Sequence, residues 1–188
     1  LHYLKEDFSP SGPINVAFRY RRGEGPSREM AWTLEPQGMS GRFIDFPYPL
    51  KAVRGRIWID TSRIPLRNIH LNLSGLAGER PATLHGTIQG EKKTGAIHLE
   101  IRGKDIVLDD HLMRAVPPRV RKVASQFLPA SSRLHGLANY PIGSGDVEAT
   151  ISRRPGNTRV EKTFFITFRK CAVLYDQFPY PLENVSGL

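Results

Sequence analysis

The sequence predicts a mainly β protein, in which an antiparallel sheet built from repeats is interrupted by one short bent helix at about 109–128. Apolar and polar residues alternate with period two in run after run, as in strands that have one dry and one wet face. Turn-forming stretches such as "RRGEGP", "QGEKKTG" and "RRPGNT" separate these runs at hairpin spacing. The stretch "DFPYPL" at 45–50 also returns as "QFPYPL" at 177–182. The alternation indicates the sheet, and the recurring motif indicates the repeat.

The alternating runs each place their apolar residues on one face. The first run, "INVAFRY", does so with Ile14, Val16, Phe18 and Tyr20. Five later runs behave alike, and their shared parity predicts a common apolar surface made of Ile57, Ile59, Ile69, Leu71, Leu73, Leu84, Ile88, Ile97, Leu99, Ile101, Phe164, Ile166 and Phe168. Polar residues such as His70 fall between them and are expected on the opposite, solvated face.

The segment "LDDHLMRAVPPRVRKVASQFLP" breaks the period-two pattern. Asp109 and Asp110 are good N-cap residues, and apolar residues follow them at helical spacing. Pro117 and Pro118 interrupt that spacing, so the segment predicts two short helices or one bent helix. We interpret the two aspartates as capping groups that complement the helix dipole, not as a pair of catalytic carboxylates.

The recurring motif is interpreted as a rigid structural corner. Pro47 and Pro49 lack N–H donors, so sheet pairing must stop there or the strand must lie at an edge. The stretch "LKAVRGRIWID" is then expected to start a new strand. The corner comprises Phe46, Pro47, Tyr48, Pro49 and Leu50 in the first copy and Phe178, Pro179, Tyr180, Pro181 and Leu182 in the second.

The two copies of the motif are 132 residues apart, since 178 − 46 = 132. The arginines at 153 and 154 follow those at 21 and 22 at the same offset. Further back, "FSPSG" at 8–12 resembles "FLPAS" at 127–131 at an offset of 119, which predicts an insertion near "RLHGLANYPIGS".

These matches predict how the chain is divided. Residues 1–60 hold the C-terminal part of one repeat unit and the start of the next. Residues 61–188 hold the remainder of a unit of roughly 132 residues that ends at the second motif. Because repetition at a long period is typical of arrays, we expect the chain to be a fragment of a longer protein.

Composition sets broad limits on partners. The chain has 27 Lys and Arg against 18 Asp and Glu, a net charge of +9 and a pI near 10. This charge permits contact with nucleic acid, anionic lipid or a polyanionic wall, and an ordinary basic surface is equally compatible with it. The one cysteine, Cys171, cannot form an internal disulfide and is expected to pack in a strand.

Several motifs of the chain, taken together, resemble those of a known family, the large AsmA-like/TamB-like periplasmic proteins of Gram-negative-type bacteria, notably those of planctomycetes. The resemblance covers most of the chain. Its residues are the motif at 46–50 with Val53 and Gly55, the segment 105–110 with Leu112, Ala115, Pro117, Pro118, Val120, Phe127 and Pro129, and the second motif at 178–182 with Val185 and Gly187. The chain departs from the family pattern after Pro129, where "ASSRLHGLANYPIGSG" replaces a short link.

The resemblance implies a long sheet curled into an open groove whose apolar lining, the thirteen residues of the common surface, contacts acyl chains. It implies a non-enzymatic segment that conducts phospholipid or another acyl lipid between inner and outer membranes in support of outer-membrane biogenesis. The full-length protein would be periplasmic and tethered to the inner membrane by parts outside this chain, with possible protein partners in either membrane. A continuous dry path is physically sensible, since each CH₂ kept from water contributes about 0.8 kcal/mol.

The sequence is compatible with other interpretations. The same apolar faces could close on one another as an ordinary sandwich core, or serve a structural envelope scaffold that carries no lipid. A basic nucleic-acid-binding β domain is a further alternative, although the arginines are spread along the chain instead of forming a stripe. The six histidines are scattered, and no phosphate-binding loop or nucleophile elbow occurs, so we expect no catalysis, no metal and no cofactor.

Overall fold

In the part of the chain that the structure describes, nine antiparallel strands form a single sheet in which every strand pairs with its neighbours in sequence. The computed structural model describes residues 8–22, 28–44, 46–62, 67–124, 143–175 and 178–187. The strands are β1 (Ile14–Arg22), β2 (Arg28–Phe43), β3 (Phe46–Asp60), β4 (Arg67–Ala77), β5 (Arg80–Gly90), β6 (Ala96–Val107), β7 (Ser144–Arg153), β8 (Glu161–Tyr175) and β9 (Phe178–Gly187). The prediction of a mainly β, antiparallel fold is confirmed.

The strands form because apolar residues at alternate positions meet across each pair. Between β4 and β5, for example, Ile69 lies opposite Ile88 and Leu73 lies opposite Leu84. Residues that face each other directly in an antiparallel pair share a face of the sheet. The same parity continues through every pairing, so one face of the sheet is apolar from β1 to β8.

The sheet curls toward its apolar face. The rings of Phe46 in β3 and Phe164 in β8 lie 5.7 Å apart between centroids. In a flat sheet, five steps of about 4.8 Å would separate these strands by roughly 24 Å. In the described part of the chain, β1 and β9 pair only with β2 and β8, so the curl does not close into a barrel. The prediction of a curved, open sheet is confirmed.

Gly86 marks a tight place in this curve. It faces Leu71 in β4 and Leu99 in β6, and its φ of +146° is one that side chains rarely adopt. A Cβ at this position would collide with the backbone of His98 and lie 2.8 Å from the Cα of Leu99. Glycine therefore lets β6 approach β5 on the inner face of the bend.

The helical interruption consists of two short helices, α1 (Asp110–Ala115) and α2 (Pro118–Ala124), which agrees with the first of the two predicted forms. Asp109 caps α1, because its Oδ1 accepts a hydrogen bond from the amide of Leu112 at 2.9 Å. The prediction that Asp109 is a capping residue is confirmed. The last part of the predicted segment, 125–128, lies outside the described residues.

The proline motif is not the corner that the sequence predicted, because it lies inside strand β3. The chain reverses between Phe43 and Phe46, which pair with each other, so the reversal precedes the motif. β3 is continuous through it, and no new strand starts at Leu50. The prolines are tolerated inside a sheet because β4 pairs with β3 only from Leu50 onward, and pairing with β2 is irregular there. In the second copy the backbone lies likewise in β9, and its side chains lie outside the described part.

The strand pairing repeats with a period of six strands. The pairs Met39–Val53 and Gly41–Leu50 between β2 and β3 recur as Cys171–Val185 and Val173–Leu182 between β8 and β9, each 132 residues on. The backbone repeats as well. Two non-glycine residues have positive φ at equivalent places, Ala52 with 51° and Asn184 with 57°.

The pairing of β7 with β8 repeats the pairing of β1 with β2. Residues of β1 recur in β7 131 positions later, whereas residues of β2 recur in β8 132 positions later. Val16 faces Leu34, and Val147 faces Ile166 in the same way. Arg153 therefore occupies the place of Arg22, and aligning the two arginine pairs at 132 is wrong by one residue. A one-residue slip would turn every side chain of the strand to the other face, which the apolar parity forbids. The insertion is predicted near "RLHGLANYPIGS" at 133–144, and all of this stretch except Gly143 and Ser144 lies outside the described residues.

Candidate apolar groove

All thirteen residues of the predicted common surface lie on the concave face of the sheet. The register joins them in rows across the strands, for example Ile57 with Leu71 and Leu84 with Ile101. His70, His98 and Glu100 lie on the convex face, as their parity predicts. The sequence therefore assigns these side chains to the correct sides of the sheet.

Burial divides the concave face into two parts. Around β4 to β7 the side chains pack against each other, and Leu99 and Ile151 are both 0% exposed. Nine of the thirteen predicted residues are buried in this centre or packed against it and do not line the cavity described next, whereas Phe168 is 38% exposed. In the described structure the centre is therefore a closed core.

Toward β1 the concave face opens into a cavity of about 460 Å³. Of the predicted surface it includes Ile57, Leu73 and Leu84. The rest of its lining comes from the segment before β1, from β1 and β2 and from the first half of β3: Phe8, Pro10, Ile14, Val16, Leu34, Pro36, Met39, Ser40, Gly41, Arg42, Phe43, Leu50 and Val53. Aliphatic and aromatic side chains dominate this lining, and among the described residues that form it Arg42 is the one that carries a charge.

Sequence reasoning missed most of the lining that β2 supplies. Leu34, Met39 and Phe43 are buried and belong to the core, yet β2 reads "REMAWTLEPQGMSGRF" without a clean period. The reason is a series of register shifts between Gln37 and Phe43, each of which interrupts strict alternation. The sequence did contain one signal for this lining: the alternation of Ile14 and Val16 in β1 places both residues on the same face of the sheet as Leu34.

One end of the concave face is covered by helix α1. Leu112 and Val116 are fully buried there, and the helix packs against β3. Tyr48 is buried beside it, and its burial, assisted by the carboxylate of Asp109, raises the pKa of the phenol to about 12. A neutral phenol therefore lies at this end over the ordinary pH range.

The opposite end of the concave face holds a buried charge. Arg153 lies on the concave face opposite Ile97, and its guanidinium donates to the carbonyls of Gly95 at 2.7 Å and Lys92 at 2.9 Å. These carbonyls belong to the turn between β5 and β6. They satisfy part of the donor capacity that burial would otherwise leave unpaired.

The convex face is polar and carries ordinary surface pairs. Glu100 accepts from Arg102 at 3.4 Å and lies 3.3 Å from Nε2 of His98, and Trp58 packs over His70 with ring centroids 5.2 Å apart. Among the residues that the structure describes, no group of His, Cys, Asp or Glu is arranged to hold a metal ion. No helix in the same residues is long and apolar enough to span a bilayer.

Comparison of the chain with protein-family models, with curated proteins and with solved structures gives no match. The geometry of the sheet and its cavity is therefore the basis for a functional proposal.

Proposed function

We propose that this chain binds the hydrocarbon chain of a lipid in the cavity between β1 and β5. It would act as one segment of an AsmA/TamB-like protein that conducts lipid between inner and outer membranes. The observation that carries the proposal is the coincidence of an apolar lining with an open side. The cavity is bounded by buried residues such as Leu34 and Leu73, and on β1 it is bounded by the half-exposed Val16.

The cavity has the character of a small-molecule site. Its volume of about 460 Å³ falls in the range of ligand pockets, and such pockets are mainly apolar with few polar groups. Each CH₂ that enters contributes about 0.8 kcal/mol, so a chain of several carbons supplies useful affinity. Arg42 is an exposed residue of this lining, and a guanidinium near the opening would attract a phosphate or carboxylate headgroup.

A structural scaffold without lipid transport is the second candidate. The closed centre around Leu99 and Ile151 favours it, because no lipid passes through a packed core. The two candidates differ in what the β1 side of the sheet contacts, and a crosslinking experiment separates them.

The test places a photo-crosslinking amino acid at Ile14 or Val16, with controls at Ala17 and Arg19 on the convex face of the same strand. The protein is mixed with vesicles of phosphatidylethanolamine and phosphatidylglycerol, irradiated and analysed by mass spectrometry. We expect lipid adducts at 14 and 16 and few at 17 and 19. Equal capture on both faces, or none on either, would reject the lipid groove and leave the scaffold.

A charge-reversal variant tests the headgroup interpretation. Arg42→Glu should reduce capture of phosphatidylglycerol more than capture of phosphatidylethanolamine, because it replaces an attraction to the anionic headgroup by a repulsion. Arg54→Glu, an equal charge change at an exposed position outside the cavity lining, is the matched control. Equal losses in the two variants would show that net charge, and not Arg42, determines the preference.

A further inference from the structure

The outer edge of β1 differs from every inner strand of the sheet. One edge of β1 pairs with β2, and in the described part of the chain no strand pairs with the other. Its structural counterpart β7 has β6 at that edge. The concave residues of the two strands differ accordingly: Val147, Ala149 and Ile151 are 4%, 2% and 0% exposed, and their counterparts Val16, Phe18 and Tyr20 are 51%, 49% and 52% exposed.

The difference in exposure between β1 and β7 follows from the strand that pairs with β7 and has no counterpart beside β1 in the described structure. Both strands have the same partner on one side, since β2 and β8 are equivalent, and both have apolar residues at the same parity. Two aromatic rings half open to water are a costly surface for a strand that also has one edge unpaired in the described part of the chain. Phe18 covers part of this surface by packing against Trp32, with ring centroids 4.4 Å apart, and still stays half exposed.

We propose that the free edge of β1 is a docking site for an antiparallel strand with the chemistry of β6, contributed by another six-strand unit of the same repeat. Such a strand adds main-chain hydrogen bonds along β1 and covers its aromatic residues with aliphatic ones. The proposal rests on the register of the sheet and does not depend on lipid binding.

The register of β6 on β7 predicts the register on β1. In this chain Leu99 faces Ile151, Ile101 faces Ala149 and Gly103 faces Val147. With the offset of 131 between β1 and β7, the docked strand places its equivalents of these three residues opposite Tyr20, Phe18 and Val16. The small residue at the third position leaves room for the pocket beside Val16.

The convex side of β1 also favours a strand with the chemistry of β6 as the partner. Arg19 lies there, and the predicted register sets the equivalent of Glu100 directly opposite it. Opposite charges that face each other across a strand pair are favourable. A second copy of β1 is a poorer occupant, because β1 carries three arginines and no acidic residue, so two such edges repel.

A peptide of the β6 sequence, "AIHLEIRGKDIV", tests the proposal through disulfide exchange. The chain carries Arg19→Cys, and three peptides carry one cysteine each at position 98, 100 or 102. In a glutathione buffer, position 100 should give at least about five-fold more mixed disulfide than its neighbours, because only directly opposed residues come within disulfide reach. Burial raises the pKa of the native Cys171 thiol, which limits its part in the exchange.

Two results would overturn the proposal. One is an equal yield at all three positions, which means that the peptide docks without register or does not dock. The other is a disulfide-linked dimer of the Arg19→Cys chain whose amount the peptide does not lower, which means that a second β1 is the occupant.

Two matched variants then test the apolar contact. Val16→Asp should abolish capture of the position-100 peptide, whereas Ala17→Asp on the convex face should retain it. Both positions are exposed, so we expect both variants to stay folded, which circular dichroism and thermal melts check. Equal loss of capture in the two variants would show that the concave side chains of β1 do not form the docking surface.

Discussion

Tyr48 lies where the start of β3, helix α1 and the turn after β4 come together. A Cβ added at Gly78 in that turn would lie 3.7 Å from the phenol oxygen, and Asp109, the cap of α1, is close enough to influence the phenol electrostatically. Burial and this carboxylate both disfavour the phenolate, so the pKa is raised to about 12. The ionisation of one side chain thus reports on the packing of the helix against the sheet.

The stability of the protein should therefore fall between pH 10 and pH 12. An unfolded tyrosine ionises with a pKa of about 10, so in this window the unfolded chain releases a proton that the folded chain keeps, and unfolding becomes easier. The contribution is complete below pH 10 and is lost as pH rises through the folded value. Urea unfolding should show a steeper fall for the unmodified chain than for Tyr48→Phe.

Asp109→Asn refines this prediction, because asparagine is also a good N-cap but has no charge. It should leave α1 intact by circular dichroism and lower the pKa of Tyr48, measured by phenolate absorbance against Tyr48→Phe. An unchanged pKa in Asp109→Asn would mean that burial alone accounts for the shift.

Leu99 and Val16 share a face of the sheet but not an environment. Leu99→Ala empties space in the packed centre and should lower the free energy of unfolding by about 2–5 kcal/mol. Val16→Ala removes a half-exposed side chain and should cost less than about 1 kcal/mol. Urea unfolding of both variants gives the comparison. Equal, small losses would mean that the centre of the sheet is open in solution.

At the level of strands, Gly86 controls how closely β5 and β6 approach. Gly86→Ala adds a Cβ that collides with the backbone of His98, and it forces a side chain into a strained φ. We expect a loss of stability of at least about 2 kcal/mol, from the strain and the displacement of β6 together. Gly156→Ala is the control, because Gly156 also has a positive φ but open space around it. Similar losses in the two variants would mean that backbone strain, not the close approach, is the dominant cost.

The strands and the helical interruption could be predicted because their signals are local. The alternation in "AIHLEIRG" depends only on neighbouring residues. Asp109 caps α1 through Leu112, which is only three residues away in the sequence. The cavity could not be predicted in this way. Its lining depends on register shifts in β2 and on a curl that brings Phe46 to Phe164, and both are set by packing between distant strands.

The proline motif is a second case in which the sequence indicates a local irregularity but does not determine its place in the fold. Pro47 and Pro49 correctly indicate an irregular place in the ladder, because a missing N–H is a property of the residue. Whether that place ends the strand depends on the length of β4, which stops pairing at Leu50. Only the neighbouring strand determines that the motif belongs inside β3.

Across the whole molecule, protection should be highest in the middle of the sheet. β4 to β7 are paired on both sides and include the fully buried Leu99 and Ile151, whereas β1 and β9 are paired on one side in the described structure. Amide hydrogen exchange measured by mass spectrometry should therefore be slowest in β5 and β6 and fastest in β1 and β9. Uniform exchange across all nine strands would indicate cooperative opening of the sheet as one unit instead.

The period of six strands has a geometric consequence. Because neighbouring strands run in opposite directions, an even number per unit returns the chain to the same end of the sheet, pointing the same way. Each unit then begins in the orientation in which the previous one began, and no adaptor is needed between them. At about 4.8 Å per strand, one unit advances the sheet by roughly 29 Å along its contour. A protein assembled from such units would lengthen in steps of that size, so the number of units would determine the length of the sheet.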